Sequence, residues 1–167
     1  MKFEAFLPGP KPSKGSYTVQ AFSPYKIHQR CVDSMFSGRV VLAGDAAHLV
    51  NPFGGTGLTG GMCDGGGLAD CLIAIFKVSP SARKLDHTKS RFQGVVDPKF
   101  ILQKYSDERI RIFHEFTNPV STANKLRMHK EPADVIANDP FMATLNRNNK
   151  EEIDALGQAT WAMQHDL

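Results

Sequence analysis

"GRVVLAGDAAHLVNPFGGTGLTGG", residues 38–61, decides the reading of this chain. It contains a literal G-x-G-x-x-G at Gly55, Gly57 and Gly60. A dinucleotide fingerprint needs a strand directly before its first glycine, a helix after its last and an acid about 20 residues on. The helix is available, but the strand is not adjacent. The apolar run Val40 to Ala43 ends at Gly44, and Pro80 stands where the acid should be, with Asp70 and Asp86 the nearest carboxylates. The glycines therefore serve some other arrangement.

A short apolar run bounded by glycines reads as one buried strand, Val40 to Ala43. Gly44 and Asp45 then stand at its carboxyl end, where ligands bind in open α/β sheets. Pro52 stiffens the crossing that follows, and the "GGTG" glycines let backbone approach a flat ligand closely. A helix begins there. Its first N–H groups lack partners within the helix and together carry about half a positive charge. This suits a ligand with hydroxyls at one point and partial negative charge at another.

Leu58, Met62, Ala69, Leu72, Ile73 and Phe76 recur at helical spacing and predict one helix over 58–77 with this stripe packed. Gly60, Gly61, Gly65, Gly66 and Gly67 fall inside it. Each costs ~0.8–1 kcal/mol relative to alanine, so their sum is about 4–5 kcal/mol. A helix that carries such a load needs close approach by another backbone or a ligand. The competing reading starts the helix near Leu68 and leaves the glycines in a loop.

Working outward, "KFEAFLP" and "SYTVQAFSPYKIHQRCV" read as antiparallel strands joined by "PGPKPSKG". On the other side a polar loop covers 79–97. A helix follows Pro98 through "KFILQKYSDERIRIFHEF", with Pro119 expected to end or kink it. "VSTANKLRMH" continues it, and "NKEEIDALGQATWAMQ" reads as a last amphipathic helix packing Ile153, Leu156, Trp161 and Met163. The expected class is a mixed α/β fragment: antiparallel strands, then one buried strand, then helices. A complete α/β domain would alternate them, so the chain reads as a piece of something larger.

Composition narrows the function. The 167 residues are 41% hydrophobic and 22% charged, ordinary for a soluble globular protein. The net charge of +3 comes without a clustered basic patch, which argues against nucleic acid and anionic membranes. Cys31, Cys63 and Cys71 are odd in number and lack C-x-x-C spacing. That points to a reducing, cytoplasmic setting with no disulfide framework. The dispersed histidines form no H-x-x-x-H pair, so no metal site is expected. Glu4 and Pro8 interrupt any secretory signal, and no apolar run approaches the ~20 residues of a membrane helix.

The stretch "GRVVLAGDAAHLVNPFGGTGLTGGMCDGGGLADCL" resembles the second flavin-binding motif of the FAD-dependent aromatic hydroxylases, the class A flavoprotein monooxygenases of para-hydroxybenzoate hydroxylase type. Gly38, Arg39, Val40, Leu42, Gly44, Asp45, Ala46, Ala47, His48, Pro52, Gly55, Gly57 and Asp64 carry the likeness, and the glycine-rich helix is similar to fungal members acting in secondary metabolism. "YSDERIRIF", residues 105–113, resembles a stretch further down those enzymes. Thr59 and Gly67 stand where many members carry Asn. The resemblance implies the carboxyl-terminal portion of that FAD-binding fold, lacking its amino-terminal Rossmann βαβ unit. Residues 1–35 would end the substrate-domain sheet, 36–78 form the second FAD motif and 98–167 the helical end.

By the same resemblance, the cofactor-binding residues would be Gly44, Asp45, Pro52, Gly55, Thr56, Gly57, Leu58 and Thr59. Asp45 would accept hydrogen bonds from the ribityl hydroxyls of FAD. Backbone amides from Gly55 to Thr59 would face N1 and O2 of the flavin ring, and Pro52 would flank its reactive edge. His48 reads as a packing hydrogen bond and Arg39 as a structural partner at the strand start. Tyr17, Tyr25 and His28 are candidate cavity residues, with strand packing as their alternative, and no catalytic residue is identifiable. The implied function is a flavin-dependent monooxygenase hydroxylating an aromatic or related small molecule with NAD(P)H and O2, with an upstream segment or chain holding the ADP half. The alternatives are a non-catalytic remnant or interaction module unable to bind FAD alone, and a plain nucleotide binder using "GTGLTG".

Overall fold

Short strands precede long helices in the computed structural model, which describes residues 18–78 and 97–163. Strand β1 (Arg30–Cys31) is followed by β2 (Phe36–Ser37), β3 (Val40–Val41) and β4 (His48–Leu49). They form two antiparallel two-stranded ladders, β1 with β4 and β2 with β3. Gly38, at φ +60°, turns the β2–β3 hairpin and leaves Arg39 exposed at its tip.

Two strand expectations change. Residues 18–29 form no strand, although their composition favours one. Side-chain preference describes fit to a half-buried pleated surface and needs a partner strand to act. Val40 to Ala43 is not a buried strand either. Only Val40 and Val41 pair, and Val40 is 64% exposed. An apolar run becomes central only when strands flank both its edges, and the described residues supply one. The strand and turn readings of residues 2–16, the candidate Tyr17 and residues 79–96 lie outside the described part.

Helix α1 (Thr56–Val78) runs through all five interior glycines. Its buried line is Thr56, Gly60, Asp64, Gly67, Cys71 and Ala74, spaced as one helical face. The apolar stripe read from the sequence is the exposed face: Leu58 is 78%, Met62 69% and Phe76 64% exposed. Periodicity locates a stripe, but what packs against the helix decides which stripe is covered. Here the partner side supplies charges for Asp64 and close backbone for the glycines.

Helix α2 (Pro98–Ile112) is capped by Asp97, whose side chain accepts from Lys99 N. Ile101, Leu102, Tyr105, Ser106, Arg109 and Ile112 form its buried face. Ile101 and Tyr105 join Met35, Ala47, Cys71 and Ala74 in the core. Tyr105 donates its hydroxyl to Leu42 O at 3.0 Å, and Ser106 Oγ accepts from Met35 N at 2.9 Å, so α2 holds the hairpin in place. Burial pushes the Cys71 thiol up to about 11, which makes it an unreactive packing group.

The helical run does not end at Pro119, but its α ladder is interrupted just before it. A π turn (Phe113–Thr117) intervenes and helix α3 (Asn118–Arg127) follows, with Pro119 in its first turn. Proline lacks an N–H, and its ring clashes with the carbonyl four residues back. The wider π turn accommodates both at that point. Helices α4 (Pro132–Asn138), α5 (Pro140–Arg147) and α6 (Lys150–Ala159) complete the chain, with a 3-10 turn at Thr160–Met163. Of the residues expected to pack the last helix, Met163 is buried, Ile153 and Leu156 are half-buried and Trp161 is exposed. Among the described residues no helix is long and apolar enough to cross a membrane.

Candidate functional site

Between β3 and β4 the chain makes a 3-10 turn, Gly44–Ala46. Gly44 adopts φ +58°, a left-handed conformation that glycine reaches without strain. It also lies against the second turn of α1, where a Cβ added at Gly61 would sit 3.3 Å from the Gly44 Cα. The helix glycine thus permits backbone-to-backbone contact. Asp45 is exposed on this turn, and its carboxylate makes no hydrogen bond or ion pair with the described residues. It lines a shallow depression of about 240 Å³ together with Arg30, Cys31, Ala47 and Leu49.

Beneath the turn Asp64 is fully buried. One carboxylate oxygen accepts from Gly44 N at 2.8 Å and from His48 Nε2 at 2.7 Å. The other accepts from Arg109 Nε at 2.5 Å. Arg109 also donates to Met163 O at 2.8 Å and to Gly60 O at 3.3 Å. Burial pushes the Asp64 carboxyl upward, but hydrogen bonds from His48 and Gly44 and the nearby Arg109 guanidinium outweigh it and hold the group below the usual carboxylate range. The His48 ring stacks at a tilt on Phe113, 5.4 Å between centroids. His48 is therefore a packing and hydrogen-bonding residue, as its place after a strand end suggests.

The second part of the site is the 3-10 turn Pro52–Gly54 with Gly55. Pro52 and Gly55 are exposed, and Gly55, at φ +64°, has open space where a side chain would stand. Helix α1 starts immediately after. Gly57 is half-buried beside Val50, while Leu58 and Thr59 are exposed.

One expected contact needs correction. The Gly55 N–H donates to Pro52 O at 3.1 Å, so it closes the turn and does not point to a ligand. Thr56 is buried, with its hydroxyl 3.0 Å from Ser121 Oγ, which leaves the expectation for its backbone amide as it stood. The N–H groups of Thr56, Gly57 and Leu58 have no acceptor within the helix, which is the general condition of a first turn, whereas the Thr59 N–H begins the ladder back to Gly55 O.

Sequence reasoning missed Arg109, Ser121 and Asn51. Asp64 was visible as a motif residue without a role. A signal for Arg109 existed: "YSDERIRIF" places Tyr105, Ser106 and Arg109 on one helical face, a polar set that needs buried partners. No local signal marks Ser121. Among the other candidates, Tyr25 is exposed and His28 is half-buried on the extended segment before β1.

The FAD binding domain family matches residues 10–97, more than half of the chain. The chain belongs to this family. Its relatives include para-nitrophenol 4-monooxygenase of Pseudomonas sp. (strain WBC-3), 42% identical over 139 residues, which are 83% of this chain and 30% of that protein. Another is 6-hydroxy-3-succinoylpyridine 3-monooxygenase HspB of Pseudomonas putida, 41% identical over 108 residues, which are 62% of this chain and 26% of that one. The crystal structure of p-nitrophenol 4-monooxygenase PnpA from Pseudomonas putida DLL-E4 superposes with a TM-score of 0.70 at 32% identity, covering 99% of this chain and 38% of that one. The chain thus spans about a third of the relatives it matches. FAD is the cofactor of this family, and the site suits it. A carboxylate unpaired among the described residues, first-turn helix amides and open space above Gly55 are the features a hydroxylated chain ending in an electron-poor ring would use.

Proposed function

We propose that this chain is the part of a flavin-dependent monooxygenase that grips the ribityl and ring end of FAD. The carrying observation is the exposed Asp45 carboxylate, unpaired among the described residues, on a turn pressed against the start of a helix. When bound, reduced flavin would use O2 to hydroxylate a small aromatic substrate, with NAD(P)H as electron donor. Asp45 accepts from ribityl hydroxyls, and the Gly57 and Leu58 amides face the polar edge of the ring. At a helix N-terminus that interaction is worth ~0.3–1 kcal/mol, up to ~2 when partly buried. Exposed Pro52 flanks the ring and excludes water without offering a titrating group. The relatives' names, para-nitrophenol and 6-hydroxy-3-succinoylpyridine monooxygenases, support a substituted aromatic ring as substrate. The ADP end of the cofactor would be held by an upstream segment or another chain.

FAD titration of the purified chain tests this, followed by flavin absorbance and melting temperature. Saturable binding with a raised melting temperature is expected. Asp45→Ala should weaken it about tenfold or more, as fits loss of a charge-assisted hydrogen bond, with little change in the melting of the ligand-free chain. Equal FAD affinity in both proteins would overturn the assignment of Asp45. No uptake by the wild-type chain would favour the reading as a non-catalytic remnant.

A further inference from the structure

The turn proposed to meet the flavin ring has two hydrogen bonds of its own, Gly55 N to Pro52 O and Phe53 N to Asn51, and further support from outside it. It rests on one face of α3. Ser121, fully buried, makes three contacts with it. Its hydroxyl lies 3.0 Å from Thr56 Oγ1, its carbonyl accepts from Asn51 Nδ2 at 3.1 Å, and its Cα packs under Gly54. That last contact is so close that a Cβ at Gly54 would fall 2.8 Å from the Ser121 Cα. Asn124, three residues on, donates to Phe53 O at 3.2 Å. Asn118, three residues back, accepts at 2.8 Å from Gln29, whose own side-chain oxygen accepts from Asn51 N and Nδ2. Asn51 in turn accepts from Phe53 N. Residues 118, 121 and 124 lie on one side of a helix.

That side is aimed by the π turn Phe113–Thr117. A π turn takes up one residue more than an α turn, so it rotates everything after it by about 100° relative to a continuous α-helix. With a plain α turn at that point, Ser121 would be turned about 100° from its present direction and would not lie under Gly54.

We infer that Ser121 is a positioning residue for flavin recognition: carried into place by the π turn, it sets the height and direction of the Asn51–Thr56 turn and so of the first helix amides. This rests on the flavin reading above. Recognition by fixed amides tolerates errors of only about 0.5 Å and 10–20°, and the contacts with Ser121, Asn124 and Asn118 provide that restraint from below.

The test compares Ser121→Ala with Ser106→Ala in the whole chain. Ser106 is equally buried and hydrogen-bonded, but to Met35 N in the hairpin. Both variants should lower the melting temperature by similar amounts. Only Ser121→Ala should shift the backbone amide resonances of Gly54 to Leu58 in the ligand-free protein and weaken FAD binding at least threefold. Ser121→Val, which also drives a methyl toward Gly54, should weaken it about tenfold. The inference is overturned if Ser121→Ala leaves those resonances where Ser106→Ala leaves them, or if they move while FAD affinity stays at the wild-type value. Should the wild-type chain take up no FAD, the flavin reading falls by itself, and the amide shifts alone decide whether Ser121 sets the turn.

Discussion

Arg109 Nε donates to Asp64 Oδ1 at 2.5 Å, joining two helices through side chains that are 2% and 0% exposed. The same two residues reach Gly44 N, Gly60 O and Met163 O, so the turn carrying Asp45, the glycine-rich helix and the last described turn meet at one ion pair. Several consequences can be measured.

Removing one charge should cost far more than removing both. Arg109→Met leaves a buried carboxylate short of its cation and should destabilise the chain by about 3–5 kcal/mol. Asp64→Leu should do the same. The double variant should lose clearly less than the sum, because neither charge is then left alone. Urea unfolding midpoints of the three proteins check this, and additive losses would contradict it.

Asp64 also gives stability an acid limb. Its folded pKa lies below the ordinary carboxyl value of about 3.9. A depressed folded pKa contributes stability fully above the unfolded value and loses it as pH falls through the folded one. The stability gap between the wild-type chain and Asp64→Asn should therefore be constant above about pH 5 and shrink steadily below about pH 4. Denaturant midpoints between these limits read it directly.

Glycine substitutions should divide by position. A Cβ at Gly54 would meet Ser121 Oγ at 2.4 Å, and Gly54→Ala should destabilise by about 1–3 kcal/mol through overpacking. Gly65 and Gly66 face open space within α1. Gly65→Ala and Gly66→Ala should each stabilise by about 0.5–1 kcal/mol through helix propensity. Thermal melting of the single variants separates the two classes.

The start of α5 offers a local test. Asp139 accepts from Phe141 N and Met142 N and pairs with Arg127 Nε at 3.0 Å, while the Arg127 guanidinium lies 4.7 Å above the Phe141 ring. Asp139→Ala should cost about 0.5–2 kcal/mol as a lost cap. Hydrogen exchange should quicken in α5 and leave α1 unaffected.

Much was legible without coordinates because it is local chemistry. The pair Asp97-Pro98 starts a helix by capping and by a fixed φ, and a helix after Pro98 was read from the sequence; Asp139-Pro140 does the same, but the helices Pro132–Asn138 and Pro140–Arg147 were not. Gly44-Asp45 and the "GGTG" corner are equally local, since a left-handed turn asks for glycine wherever it occurs. Those residues sufficed to mark out the family.

Tertiary contact decided the rest. The apolar stripe of α1 was readable as a stripe, yet the face carrying Asp64 and the glycines is the one covered, because Arg109, His48 and Gly44 approach from that side. The Thr56 hydroxyl is taken up by Ser121, 65 positions away in the chain, a contact no local signal announces. Backbone conformation and capping depend on neighbours in sequence, which the residues themselves supply. Which side of a helix is buried, and which hydroxyl is left free, depends on elements brought together by folding, and no short stretch of sequence contains them.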